Sequence, residues 1–256
     1  MNPGSKYFYS EKISAGYLSF IGKKNKLSYQ LGIRAENSAI DVINLNDNVN
    51  KPQNYINIFP SLATQFALNK QQQLAFSYSK RLLRPTYSQL NERPYYFNPF
   101  RQTVGNTFLI PSYINTFEIK FINNQWLTLS TSYENDINSI ILTPTLIEGV
   151  TKYRFLNINY SNNYFLDVYF TKNLTKWWNT ITRVQYFRTI NDMSNIEGYG
   201  LVRNSAANFR STNVFRLSKG LKLELYGYYL PGYINGSFFN YPFKRIDISS
   251  TLTNLK

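Results

Sequence analysis

Residues 26–36, KLSYQLGIRAE, alternate without a break. Leu27, Tyr29, Leu31, Ile33 and Ala35 occupy one phase, and Lys26, Ser28, Gln30, Gly32, Arg34 and Glu36 the other. A period of two is that of an extended strand with one apolar and one polar face. The same alternation recurs along the chain. It predicts about twelve strands, over residues 7–20, 26–40, 55–68, 73–83, 112–121, 126–135, 152–160, 164–171, 177–190, 207–217, 221–230 and 244–252. No stretch keeps a helical period long enough to predict a helix, and no fixed repeat length appears.

The links between these strands sort by length. GKKNK, residues 69–72, INNQ, the SNN of residues 161–163, KNLTK and SKG read as tight turns, built from residues that accept left-handed backbone at low cost. DVINLNDNVNKPQ, residues 84–111, the stretch to Glu148-Gly149, NDMSNIEGYGLVRNS and PGYINGSFFNYP are longer and richer in Asn, Pro and Gly. Short turns at one end and long loops at the other are the pattern of an antiparallel transmembrane β-barrel. Ten residues at about 3.3 Å each, tilted by about 45°, cover about 23 Å, close to the ~25 Å apolar band of such a barrel. A soluble β-sandwich alternates too, but its strands usually run about five or six residues, and it has no reason to sort its loops.

Composition narrows the chemistry. With 256 residues and no shift in composition, residues 1–256 are expected to be a single domain. The 22 Tyr and 19 Phe favour strands. Cys and His are both absent. That removes disulfides, zinc–thiolate sites and His-based nucleophile arrangements, so neither a metal, a cofactor nor an enzyme is expected. The net charge of +14 comes from few acids, 14 against 28 bases, and the bases are scattered. Phosphates of outer-membrane lipid and lipopolysaccharide, or a charged lumen, suit this better than nucleic acid.

Aromatic residues gather near strand ends: Tyr7, Phe8 and Tyr9; Trp126; Trp177 and Trp178; Tyr226, Tyr228 and Tyr229. Rings at both interfaces are expected of a membrane barrel. Arg34, Glu36, Glu118, Lys120, Arg183, Lys222 and Glu224 share the polar phase and are expected to form a solvated, mutually paired inner wall. The opening, MNPGSKYFYSEK, has no apolar central region and no cleavage site. The chain is therefore expected to be a fragment of a longer exported protein.

Residues 78–121, YSKRLLRPTYSQLNERPYYFNPFRQTVGNTFLIPSYINTFEIKF, carry the most specific motif. Arg84-Pro85-Thr86-Tyr87, Leu90-Asn91, Asn98-Pro99-Phe100, Gly105-Asn106, Leu109, Pro111 and Phe117-Glu118 follow one another at set intervals. Proline at 85 and 99 ends ladders, and Asn-Pro and Gly-Asn are turn chemistry. This stretch resembles the outer-membrane barrels of TonB-dependent receptors of the Bacteroidetes type. It departs from their pattern at Thr107, where Pro is expected, and at Ser112, where an acid usually follows Pro111. Ser10-Glu11-Lys12-Ile13, Gly32-Ile33-Arg34-Ala35-Glu36 and Phe59-Pro60-Ser61 also fit the family's strands.

The resemblance implies the later part of a 22-stranded barrel that imports a scarce solute, a siderophore, glycan or similar. In the full protein its partners would be a plug domain, the TonB system and, for glycans, a surface lipoprotein. No plug and no TonB box are recognisable in the sequence itself. The motif residues Arg84, Pro85, Tyr87, Asn91, Asn98, Pro99, Phe100, Gly105, Asn106 and Glu118 are expected to be architectural. Tyr95, Tyr96, Phe97 and Arg84 are the candidates for solute contact, since rings stack on sugars and aromatic chelators. The rival readings are a self-contained, porin-like channel of about twelve strands and a soluble carbohydrate-binding β-sandwich.

Overall fold

The two-residue period is realised as one large sheet. The computed structural model describes the backbone of residues 7–44, 49–124, 126–235 and 238–252, and side chains from residue 10 to residue 252 except at 42–51, 53, 125 and 235–237. Eleven strands pair antiparallel in chain order: β1 (Tyr7–Lys24), β2 (Leu27–Asn44), β3 (Val49–Ala67), β4 (Gln72–Leu83), β7 (Ser112–Asn123), β8 (Leu127–Ile137), β11 (Tyr160–Asn173), β12 (Trp178–Asp192), β13 (Leu201–Arg216), β14 (Leu221–Leu230) and β17 (Phe243–Leu252). A four-residue helical turn, α1 (Tyr87–Leu90), precedes β5 (Tyr95–Asn98) and β6 (Arg101–Val104). These last two join β9 (Ile140–Ile147) and β10 (Val150–Asn157) in a side sheet ordered β5-β6-β10-β9. β15 (Tyr233–Asn235) and β16 (Phe238–Asn240) form a short hairpin. Among the described residues no helix is long and apolar enough to cross a membrane.

Tight turns after β1, β3, β7, β11 and β13 gather at one end of the wall, with Asn25 and Asn124 at φ 53° and 43°. The longer connections after β4, β8, β12 and β14 lie at the other. Register assigns the faces. Outward rows read straight across the strands: Phe76, Ile119, Thr131, Leu166 and Tyr186 in one, and Leu74, Phe121, Leu129, Val168, Val184, Phe209 and Tyr229 in the next. Large apolar side chains on this face stand about half exposed: Ile33 is 49% exposed, Ile58 54% and Leu166 50%. A dry interior between two stacked sheets would have buried them.

The outward face is bounded at both ends. Toward the loops, Tyr78, Phe117, Tyr133 and Tyr164 stand in one row, with successive ring centroids 4.7, 6.3 and 5.0 Å apart. Above it runs Lys80, Asn115, Asn135 and Asn162, and above that Leu82, Tyr113, Ile137 and Tyr160. Toward the turns, Trp126 packs edge-on against Phe170, Lys172 lies over the Trp126 ring, and Trp177, Trp178 and Phe215 cluster. From Asn162 to Lys172 is ten residues along β11, about 23 Å of height at about 45° tilt. The expected aromatic belts are present, with one correction: Tyr226 and Tyr228 face inward, under Arg245 and Arg210. The side chains of Tyr7, Phe8 and Tyr9 lie outside the described residues.

The inward face is polar and concave. Near the turn end it encloses a depression of about 340 Å³ lined by Ser28, Gln30, Gln65, Ser77, Glu118 and Lys120 among others. Near the loop end Ile40 and Tyr55 are in the inward phase and pack with Leu90, Leu109, Ile140 and Phe155, so the loops fold over this side. β1 departs from clean alternation: Ile13, Tyr17 and Ile21 share the inward phase while Leu18 and Phe20 face outward.

Three expected elements are placed differently. The strand at residues 152–160 is not a wall strand; Val150–Asn157 pairs with β9 and β6 in the side sheet, so the wall has eleven strands among the described residues. Residues 161–163 are not a turn but sit within β11, paired on both sides. Their side chains bond across the ladder instead, with Thr189 Oγ1 donating to Asn163 at 2.7 Å and Asn135 Nδ2 to Asn162 at 2.8 Å. The stretch of residues 41–53 is largely taken up by β2 and β3, and residues 45–48 are not among those described.

Candidate functional site

The long connection after β4 begins with a charged knot. Arg84 leaves the inner face of the wall and its guanidinium meets Glu36 directly, donates to Ser38 Oγ at 2.8 Å, and lies 2.9 Å from Glu11 Oε1 as an ion contact without hydrogen-bond alignment. Arg34 closes on the other oxygen of Glu36 at 2.9 Å. Glu36 is only 5% exposed, a position where an unpaired carboxylate costs several kcal/mol. Two arginines and two glutamates from β1, β2 and the end of β4 therefore balance one another. The buried Pro85 follows at once and stops the ladder.

Beyond it the motif residues hold the loop in shape. Thr86 caps α1, with Gln89 Oε1 accepting from the Thr86 amide at 2.8 Å, and Tyr87 at the start of α1 is exposed. Asn91 accepts the Gly105 amide on its carbonyl at 3.0 Å and the Arg93 amide on its side chain at 3.0 Å. Asn98 accepts from the Phe100 amide at 2.9 Å across Pro99. A Cβ at Gly105 would stand 2.3 Å from Asn91 O and 2.7 Å from Gln89 O, so this crossing of two backbones admits only glycine. Asn106 Nδ2 donates to Phe155 O at 2.9 Å, and Asn157 Nδ2 donates to Ile110 O at 2.9 Å and to Asn138 O at 2.7 Å. These amides tie the loop to the β9–β10 hairpin. Glu118 lies in the wall, 3.2 Å from Lys120.

Between loop and hairpin opens a cleft of about 820 Å³. Tyr95, Tyr96, Phe97 and Arg93 line it with Leu142 and Phe155. The three consecutive rings are 60–65% exposed, and Tyr95 and Phe97 meet edge to face at 5.0 Å. Arg101 lies over both Phe97 and Tyr153, at 5.6 and 4.8 Å. Flat apolar faces and a cation at one opening suit a planar or ring-shaped anionic solute. Of the four residues singled out for solute contact, the three aromatic ones share this cleft. Arg84 does not line it, because its guanidinium is held in the charged knot. Leu142 and Phe155 carried no signal in the sequence, since only the hairpin's return brings them to the rings; Arg93, two residues before Tyr95, was not singled out.

Further inward charges pair, Arg183 with Asp167 at 2.6 Å, Lys222 with Glu224 at 3.2 Å, and Arg81 with Glu134 at 3.4 Å, while Arg210 lies over the Tyr228 ring. Asp192, at the loop-side rim of β12, has its pKa lowered, first by the Ser194 hydroxyl, then by the Asn159 amide and the Ser194 backbone N–H. Among the described residues no three metal-ligating side chains gather.

A sequence model described as the outer membrane protein beta-barrel family matches residues 2–256. No curated protein matches the sequence. Among solved structures, the siderophore receptor PirA from Pseudomonas aeruginosa is similar with a TM-score of 0.58 at 14% identity, over 97% of this chain and 52% of that one. The FrpB iron transporter from Neisseria meningitidis gives 0.63 at 13%, over 96% and 39%. The copper transporter OprC gives 0.69 at 11%, over 98% and 41%. The chain thus spans about half the length of these proteins or less, and the likeness is one of fold.

Proposed function

Because the chain belongs to the outer-membrane protein β-barrel family and is an integral outer-membrane wall, we propose that residues 1–256 are one domain in the later part of a TonB-dependent receptor barrel that imports a scarce solute. The observation that carries this reading is the loop-side assembly. It folds over the polar inner face and holds open a cleft of exposed rings and Arg93 where a solute would arrive. A plug domain and the TonB system are the partners that energised import requires. The motif of residues 78–121 supports the Bacteroidetes subtype, and its residues Arg84, Pro85, Asn91, Asn98, Gly105 and Asn106 act as loop architecture.

Strand parity argues against a self-contained pore. In an unbroken run of eleven antiparallel strands, β1 and β17 point the same way and cannot close antiparallel. Left open in lipid, each edge would expose about ten backbone groups at several kcal/mol apiece, tens of kcal/mol in all. A larger barrel removes that cost.

The solute class that the cleft suits is a siderophore or a glycan. The test is growth of a strain lacking the gene, on ferric siderophores as sole iron source and on glycans as sole carbon source, each repeated in a TonB-deficient background. A TonB-dependent defect on one class is expected. Unchanged growth and unchanged uptake of both classes would refute import.

A further inference from the structure

The lipid-facing surface carries an unusual polar strip at its loop-side border. Register places Lys80, Asn115, Asn135, Asn162, Ile190 and Arg203 in one row across six strands, with Arg188 one row below, diagonal to Arg203. The row spans five strand spacings, about 24 Å. Three amides lie in its middle and cations at its ends. Rings bound it on both sides: Tyr78, Phe117, Tyr133 and Tyr164 below, Tyr113 and Tyr160 above.

The amides are oriented. Tyr78 Oη donates to Asn115 Oδ1 at 3.1 Å, and Asn162 Oδ1 accepts from Tyr133 Oη at 3.0 Å and from Asn135 Nδ2 at 2.8 Å. The oxygens of Asn115 and Asn162 are thus engaged, and their N–H groups are left as donors. Arg188 and Arg203 make no ion pair among the described residues; on the inner face and in its loop Arg34, Arg81, Arg84, Arg183 and Arg245 do, while the inward Arg210 lies over the Tyr228 ring instead. Asp192 is the nearest carboxylate by register, diagonal to Arg203, but it is bound by Ser194 and Asn159. Diagonal neighbours on one face lie about 7–8 Å apart, close enough for both guanidiniums to grip one phosphate.

We propose that this strip is a binding site for the phosphorylated glycolipid of the outer leaflet, lipopolysaccharide. The long-loop end of such a barrel faces outside, and the strip lies about 23 Å above Lys172, at the hydrocarbon border. Donors left in hydrocarbon would cost several kcal/mol each, so the row needs a polar partner there. Sugar hydroxyls suit the amide donors, sugar rings suit the flanking aromatics, and phosphates suit Arg188, Arg203 and Lys80. A glycerophospholipid offers the phosphate but no sugar. The site uses the membrane placement of the wall and none of the import reading, so either can fail without the other.

The test uses the full-length protein extracted from outer membranes in mild detergent, with lipid A as the probe. Bound glycolipid is counted by native mass spectrometry, and lipid A is titrated back after delipidation. Arg188→Gln with Arg203→Gln is expected to weaken binding at least tenfold, whereas Lys172→Gln, a cation lost from the same face at the turn end, leaves it unchanged. Dephosphorylated lipid A is expected to bind at least tenfold more weakly, and phosphatidylglycerol not to compete at equal concentration. Equal binding by the double variant, or equal competition by phosphatidylglycerol, overturns the site. If the double Gln variant does not fold, Arg188→Lys with Arg203→Lys decides. Several-fold weaker binding supports the bidentate grip, and unchanged affinity refutes it.

Discussion

Leu166 occupies the middle of the outward face of β11, in the row of Ile119 and Tyr186 and four residues from Asn162. It is 50% exposed, with no protein packed over it. Leu166→Arg therefore separates lipid from water as the surrounding medium. At the midplane of a barrel in a bilayer, an outward Arg costs about 2–4 kcal/mol, falling to about 0–1 near the interface. On a water-exposed surface the same change would fall within about 0.5 kcal/mol of neutral. Asn162→Arg, on the same strand and face but at the border row, is the internal reference. We expect Leu166→Arg to lower the folded-to-unfolded ratio about thirtyfold to several-hundredfold, at about 1.4 kcal/mol per factor of ten, and Asn162→Arg to change it by less than about tenfold. The assay is urea-dependent folding of the full-length protein into lipid vesicles, followed by tryptophan emission and by the shift in gel mobility between boiled and unboiled samples. Coincident urea midpoints for the two variants would refute the outward orientation of the apolar phase.

Other outcomes follow from the loop end. Glu36→Ala should destabilise the wall by about 3 kcal/mol, since it leaves Arg84 and Arg34 without their shared carboxylate; urea unfolding in detergent measures it, and a change below about 0.5 kcal/mol would show the knot to be dispensable. Gly105→Ala should force the Asn91 and Gln89 carbonyls apart, expose residues 84–111 to protease and spare the wall; limited proteolysis with mass mapping reads this directly. Alanine at Tyr95, Tyr96 and Phe97 together should weaken uptake of the imported solute at least tenfold without changing the amount of folded barrel, as judged by uptake assay and gel mobility. The lowered pKa of Asp192 means its ordering of residues 193–200 is fully present above the ordinary carboxylate range near 4 and is lost as pH falls through the depressed folded value. The protection of the Ser194 amide, measured against its intrinsic exchange rate at each pH, should fall at that low end, and Asp192→Asn should remove that change in protection.

The wall was legible because each of its strands repeats a period of two for about ten residues. β14 begins and ends where the alternation of LKLELYGYYL does, and β4 and β7 differ from expectation by a residue or two at their ends. The same period misleads at residues 152–160. A side-sheet strand and a wall strand alternate alike, and only pairing with Ile140–Ile147 tells them apart. The SNN at residues 161–163 has turn composition, yet in a ladder its short amides serve as cross-strand donors and acceptors. Tyr226 and Tyr228 bracket the outward Gly227, so counting rings near a strand end says nothing of their phase. At the candidate site, the turn chemistry of Asn98-Pro99 and Gly105-Asn106 was readable locally. The pairing of Arg84 with Glu36 and Glu11 was not, because it joins residues 48 and 73 positions apart.

With an odd number of crossings among the described residues, the polypeptide makes one net passage through the bilayer between Tyr7 and Leu252. Tyr7 lies on the side of the long loops and Leu252 on the side of the tight turns. An epitope inserted just ahead of β1 would be stained by antibody on intact cells, whereas one placed just after β17 would be reached only once the envelope is permeabilised. The two rims of this wall thus open onto different compartments, and whatever adjoins each rim meets a different set of proteases, chaperones and partners.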